Sequence, residues 1–399
     1  MNKRIYVAGA GIISAIGNDI EQTLLSFEKH QSGVSSAMHL TTRHKSEFPL
    51  AEVKMSNQEL GELTGLNENL SRTVLLSYYA AKQAVSPFLT DVLKKFKIGF
   101  ISASSVGGMD KTEFFFQDFL KDNNTGNLRD VMLHDCGKHT DFVAEKLGIN
   151  DFVTTISTAC SSSANAIMLA GRLIKSGQLD IVVAGGVDAL TRFTLNGFNS
   201  LMIVDREQCR PLDQTRAGLN LGEGAAYLVL MSEKAAEAFS ASPLCELTGY
   251  CNTNDSFHQT ALSDEGNGPY LAMMGALKMS NLKTSEISYI NMHGTGTQNN
   301  DNAEGKAVER VFHPDYPKLS STKSFTGHTL GASGAVEAVF AALAISKGLV
   351  FPNFNFKETI QDLHIKPETS FQKNLEINHV LSNSFGFGGN CTSLIFSKA

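Results

Sequence analysis

The sequence predicts a layered α/β protein made of two pseudo-repeated halves. Three observations carry this. Short β-branched and apolar runs alternate with longer helical patterns, several of those runs are apolar almost without interruption, and the second half replays the element order of the first.

The elements follow in order. The opening MNKRIYVAGAGIISAIGN has basic residues and an apolar run like those of a signal peptide, but its repeated glycines fit a first strand and turn instead. Strands are then expected at KIGFISAS (97–104), DIVVAGG (180–186), AYLVLM (226–231), SYINMHG (288–294), HVLSNS (379–384) and TSLIFS (392–397). Within the repeat, ISTACSSSANAIMLAGRLIKSG (156–177) is a strand end, a small-residue turn and a helix. STKSFTGHTLGASGAVEAVFAALAISKG (321–348) runs the same way and sets Gly331 opposite Cys160. Each half then closes in a glycine-rich turn and an apolar strand, GLNLGEGAAYLVLM (218–231) and GFGGNCTSLIFS (386–397). The join is placed near 232–245, giving an N-terminal half, 1–240, with the cysteine, and a C-terminal half, 241–399.

At 399 residues, 42% apolar and 19% charged, the chain has enough material for a sizeable core and is neither disordered nor fibrous. A net charge of −6 argues against wrapping nucleic acid. No run of 18 apolar residues predicts a membrane span. The six cysteines lack C-x-x-C spacing, which fits thiols in a reducing cytoplasm. Gly9-Ala10-Gly11 is only a fragment of a dinucleotide fingerprint, since Ser14 stands where its last glycine belongs. The cluster His134, Cys136 and His139 lies on an expected surface segment with no second ligand set, so no metal site is read there.

Cys160 stands where a strand turns into a small-residue helix. A helix N-terminus there would lower the thiol pKa, and backbone N–H groups at the turn could hold an oxyanion. His293 opens HGTGT after a strand, His328 precedes the repeated helix, and Lys323 stands in the same segment. A lone histidine in such a loop is usually structural. Two of them converging on a helix-capping cysteine point to chemistry.

With SSVGG (104–108), TAC, AGGVDA (184–189), RPLDQTRAGLNLGEGA (210–225), HGTGTQNND (293–301), KSFTGHTLGASG (323–334) and NSFGFGG (383–389), the whole chain resembles the elongating β-ketoacyl-acyl-carrier-protein synthases. These are decarboxylating condensing enzymes of the thiolase superfamily. The resemblance implies a thiolase-like αβαβα fold, with Cys160 as acyl acceptor and His293 and His328 as the decarboxylating pair. Thiolases place a second cysteine, and initiating synthases an asparagine, where one of these histidines stands. It implies further that Lys323 is the active-site lysine and Glu337 its partner, with Asp301 and Glu304 as supporting acids. Thr295 and Thr297 would contact the phosphopantetheine arm. Phe387, beside Phe385, would be the gating aromatic whose N–H completes an oxyanion hole with that of Cys160. Val106 and Phe198 would line the acyl pocket.

The same resemblance implies malonyl and acyl carrier-protein substrates, a homodimer or a heterodimer with a synthase-like paralogue, and no dissociable cofactor. Several departures bear on substrate. The turn after Cys160 reads SSS, as in polyketide enzymes, and Asn390-Cys391 replaces the family's Thr-Asn behind the gating loop. Met202 falls where fatty-acid members carry a carrier-greeting arginine. Arg72 is the best remaining docking candidate, ahead of Lys94, Lys95 and Lys97. Fatty-acid elongation and a dedicated polyketide or aryl-polyene route both stay open. Two alternatives compete with condensation: a non-catalytic chain-length-factor-like partner, and a thiolase or acyltransferase without decarboxylation.

Overall fold

A computed structural model describes residues 3–90 and 93–399, with the side chain of Lys94 outside the description. The strands are β1 (Ile5–Ser14), β2 (Ile98–Ala103), β3 (Phe152–Ile156), β4 (Ile181–Asp188) and β5 (Gly224–Ser232) in the first half. Those of the second half are β6 (Cys245–Asn254), β7 (Tyr289–Asn291), β8 (Lys318–Ser320), β9 (His379–Gly386) and β10 (Asn390–Ser397).

They form the order β3-β2-β4-β5-β1-β6-β10-β9-β7-β8. Read inward from each end, the two halves have the same order and the same directions. In each, three strands are parallel and two antiparallel strands follow. The strands of the two halves join where β1 and β6 pair, at Tyr6 with Glu246 and Val7 with Cys245.

Between the two halves lie two helices, Ser162–Ser176 and Ser333–Lys347, each 15 residues long and each ended by a left-handed glycine, Gly177 and Gly348. They pack on one another because their facing residues are small. A Cβ at Gly334 would stand 2.8 Å from that of Ala164, and Ser163 Oγ accepts from the Ala335 N–H at 2.8 Å. The central core draws on both halves, including Ile167, Leu228, Val339 and Val380. Further apolar layers cover the outer faces, with Leu75 and Val143 on the first half and Met273 and Val308 on the second. Strands covered on both faces need no polar alternation, which is why β4 and β5 read as unbroken apolar runs.

The expected strands are present, with three additions, of which β3 supplies the strand end expected at 156. β8 is three residues long and leaves too little pattern to detect. β6 carries Glu246, Thr248, Asn252 and Asn254 along a partly exposed path, so it lacks the apolar signature. The window Leu330–Lys347 is apolar enough to cross a membrane by composition, but 89% of it is buried as core.

Replacing Gly334 by valine should force these two helices apart. Over-packing of this kind costs about 1–3 kcal/mol, to be read as a lowered denaturant midpoint; an unchanged midpoint would show that the helices are not close-packed there.

Candidate active site

The repeat brings two equivalent turns to one place. Ala159 and Leu330, immediately before Cys160 and Gly331, both have φ of 52°, a left-handed conformation that non-glycine residues seldom adopt. Each turn leads into its helix, and Cys160 and His328 line a cavity of about 320 Å³. Cys160, His293, His328, Phe385 and Phe387 line it, with Thr295 and Thr297.

Cys160 is 5% exposed, and the N–H of Phe387 donates to its sulfur. Burial pushes the thiol up to about 11, with Lys323 and the Phe387 N–H pulling the other way. The lowered thiol expected from the helix start is therefore not found. Loss of hydration is the largest influence on the thiol at this depth.

The histidine rings lie edge to face, 5.3 Å between centroids, and Phe385 packs on His293 at 5.8 Å. His328 Nδ1 accepts from the Leu330 N–H at 3.3 Å and meets Ser333 Oγ at 2.9 Å. His293 Nδ1 faces Lys323 Nζ at 3.3 Å. With each Nδ1 set against a donor, the partners assign the proton of each neutral ring to Nε2. Burial lowers both histidines well below the usual range, and the nearby Lys323 lowers them further. The site thus holds two uncharged N–H donors beside a buried thiol.

Lys323 is fixed from three sides: it donates to the His293 carbonyl at 2.6 Å, touches His293 Nδ1 and pairs with Glu337. Burial lifts Glu337 to about 7, against the pull of Lys323. Glu304 accepts from the N–H groups of His293 and Gly294, both at 2.8 Å, and from Asn383 at 3.1 Å; burial raises it to about 7. Asp301 accepts from Leu212 at 2.8 Å and Gly296 at 3.2 Å. These two acids set the HGTGT loop, in which Thr295 and Thr297 bond one another at 2.9 Å. Phe387 stacks on Phe198 at 5.6 Å, and Val106 lies with both in a second, apolar cavity.

Two further residues that the sequence did not single out, Asp188 and Asn220, hold the site, together with Asn390, which it did. Asp188, buried at the end of β4, accepts from Ser104 Oγ at 2.6 Å, from the N–H groups of Ser105 and Val106, and from Gly331 N–H at 2.7 Å. It joins the turn at Ser104, Ser105 and Val106 to the turn after His328, and burial raises it to about 6. The available signal was a lone acid closing an apolar strand. Asn220 holds His328 by accepting its N–H on the backbone carbonyl at 2.7 Å. Asn390 braces the gating loop: its Oδ1 accepts from Ser161 at 2.7 Å, Asn165 at 2.9 Å and Asn252 at 2.7 Å. The departure from Thr-Asn therefore leaves the loop supported.

Arg72 requires correction as a docking residue. It is buried, pairs with Glu223, and also donates to the carbonyls of Val53 and Met55 and to Asn57. A guanidinium with its donors used internally cannot greet a partner. Lys95 and Lys97 are exposed, and Met202 is 88% exposed beside the cavity mouth. His134 bonds Thr112 while His139 is buried against Ser102, so the two do not converge.

A buried thiol, two neutral histidine donors and an apolar second cavity define a condensing acyltransferase of the cysteine type. Comparison with known proteins agrees. The model of the β-ketoacyl synthase N-terminal domain matches residues 2–236, and that of the C-terminal domain matches 244–357. The chain belongs to the β-ketoacyl synthase family. It is 32% identical over 413 residues to 3-oxoacyl-[acyl-carrier-protein] synthase 2 of Staphylococcus aureus (strain COL), covering 100% of this chain and 99% of that one. The ishigamide ketosynthase/chain length factor superposes with a TM-score of 0.94 at 27% identity, covering 100% of both chains. The ketosynthase ApeO in complex with its chain length factor ApeC, from Xenorhabdus doucetiae, gives 0.86 at 30% identity, covering 100% of this chain and 98% of that one. The protein is a condensing enzyme.

Two outcomes are expected. Because a thiol titrating near 11 is almost wholly protonated at neutral pH, carbamidomethylation of Cys160 should quicken roughly tenfold per pH unit from about 7 to 9. Peptide-resolved mass spectrometry would show it, and a plateau below pH 8 would contradict it. Arg72→Ala should cost about 3–5 kcal/mol by stranding Glu223; unchanged stability with a raised KM for a carrier protein would instead restore a docking role.

Proposed function

We propose that this protein performs decarboxylative Claisen condensation of malonyl-carrier protein with an acyl group held on Cys160. The observation that carries this reading is the pair of neutral Nε2–H donors, His293 and His328, in the same cavity as the thiol.

In the first step Cys160 Sγ attacks the thioester carbonyl of an acyl carrier. The N–H groups of Cys160 and Phe387 hold the developing oxyanion, and the thiol proton leaves with the carrier's sulfur. The freed carrier departs and the malonyl thioester enters past Thr295 and Thr297. Loss of CO2 puts negative charge on the malonyl thioester oxygen. Nε2–H of His293 and of His328 donate to that oxygen, while Lys323 keeps the His293 ring neutral and turned with Nδ1 away from substrate. The enolate carbon attacks the acyl carbonyl, the Cys160–acyl bond breaks, and the sulfur takes up one proton. The products are a 3-oxoacyl thioester and CO2.

The partners follow the same reading. The relatives' names include an acyl-carrier-protein synthase and ketosynthases with chain length factors, and we assign this chain a carrier protein and a second synthase-like subunit, identical or paralogous. The edge strand β3 and the helix Met109–Lys121, which buries none of its residues, form the face for that subunit. Six unpaired thiols suit a reducing cytoplasm. Cys160, His293 and His328 standing together in one cavity speak against a non-catalytic partner subunit.

His293→Ala should reduce CO2 release from malonyl carrier about 100- to 1,000-fold while Cys160 still takes an acyl group, as read by intact-protein mass. Lost acylation with intact CO2 release would sink this division of labour.

A further inference from the structure

The two N–H groups that hold the oxyanion, those of Cys160 and Phe387, come from opposite halves of the chain. They form one site only while the two turns are held in register. Phe387 follows Gly386, whose backbone packs on the cysteine turn: a Cβ placed there would stand 3.1 Å from Cys160 N and 2.9 Å from the Thr158 carbonyl oxygen. Asn390 lies opposite Gly386 in the β9–β10 ladder. Its Oδ1 reaches across the halves to Ser161 Oγ at 2.7 Å and Asn165 Nδ2 at 2.9 Å, both at the start of the helix that follows Cys160. Asn252 Nδ2 on β6 donates to the same oxygen at 2.7 Å. Ser161 and Asn165 are buried and are tied in turn to the strand end before the cysteine, Ser161 Oγ lying 2.7 Å from the Thr158 carbonyl oxygen and Asn165 Nδ2 donating to Thr158 Oγ1 at 2.9 Å. One amide oxygen thus binds the residue after Cys160, while the residue that carries it pairs with the one before Phe387.

We propose that Asn390 is a positioning residue for acyl transfer, its side-chain oxygen setting the separation of the Cys160 and Phe387 N–H groups and hence the width of the oxyanion hole. The proposal rests on the reading of Cys160 as acyl acceptor. Donors to a tetrahedral oxyanion work by being in place before the charge forms, so a small displacement of either turn weakens the hold of both. All three partners of Asn390 Oδ1 are donors, and the position therefore needs an acceptor. A carboxylate oxygen meets that need, and a methyl group of similar size does not.

Two reactions of the full chain at Cys160 test this. The first is single-turnover acylation by acetyl-, hexanoyl- and decanoyl-pantetheine, read by intact mass with Cys160→Ala as control. The second is alkylation by iodoacetamide, in which the sulfur displaces iodide and no oxyanion forms. Asn390→Leu, which nearly keeps the shape and removes the acceptor, should slow acylation about 10- to 100-fold, less than the loss of a whole oxyanion donor. Alkylation by that variant should change by less than about threefold, and Asn390→Asp should bring acylation back to within about threefold of the unaltered protein. Should the leucine variant fail to fold, Ser161→Ala cuts the same link from the other side and should slow acylation about three- to tenfold, the worth of one hydrogen bond, with alkylation spared. Undiminished acylation in the variant tested, an aspartate variant as slow as the leucine one, or acylation and alkylation falling together would each overturn the proposal and leave Cys160 as acceptor. Failure of every donor with the unaltered protein would overturn the reading of Cys160, and the proposal with it.

Discussion

The close packing of the two central helices is the constraint on which the rest of the molecule depends. Ala164 against Gly334, tied by Ser163, lets two backbones from opposite halves approach closely enough that the turns before them share one site. Ala159 and Leu330 adopt the same left-handed conformation because the two halves repeat one device. In one half that device presents Cys160. In the other it presents Gly331, which binds Asp188, and orients His328 a few residues earlier.

Around this crossing the protein buries ionisable groups in unusual number, and burial decides their state. Lys323 and Glu337 pair where neither could stand alone at such depth. Glu304 and Asp301 use their carboxylates on backbone N–H groups and thereby shape the HGTGT loop. The same dehydration keeps both histidines neutral, which makes them hydrogen-bond donors without charge. It also raises the thiol of Cys160. The site is thus organised to stabilise charge that develops on substrate, with little standing charge on the groups that touch it.

Two cavities meet at Cys160 and divide the chemistry in space. The one bearing histidines and threonines is polar enough for a thioester arm and a malonyl group, and the other is apolar. The stacked pair Phe198 and Phe387 stands where they join, and Asn390 holds the strand behind it. Val106 and Met109 line only the apolar cavity, and the two histidines line only the other.

Much of this was legible in the residues. The alternation of strand and helix, the repeated small-residue helices and the positions of Cys160, His293, His328 and Lys323 all follow from local pattern, because strand-ending turns and glycine-rich loops are written in short contiguous segments. What only the tertiary structure decided depends on distant neighbours. Arg72 looks like a surface cation on a helix, and only the approach of Glu223 makes it an internal strut. Asp188 looks like an ordinary strand-end acid until Ser105 and Gly331 converge on it. The state of the Cys160 thiol was likewise hidden, since a helix start can be read from sequence but the depth of burial that opposes it cannot. Local sequence determined the elements and the chemical types at their ends; proximity and dehydration, which depend on the whole fold, decided what those groups do.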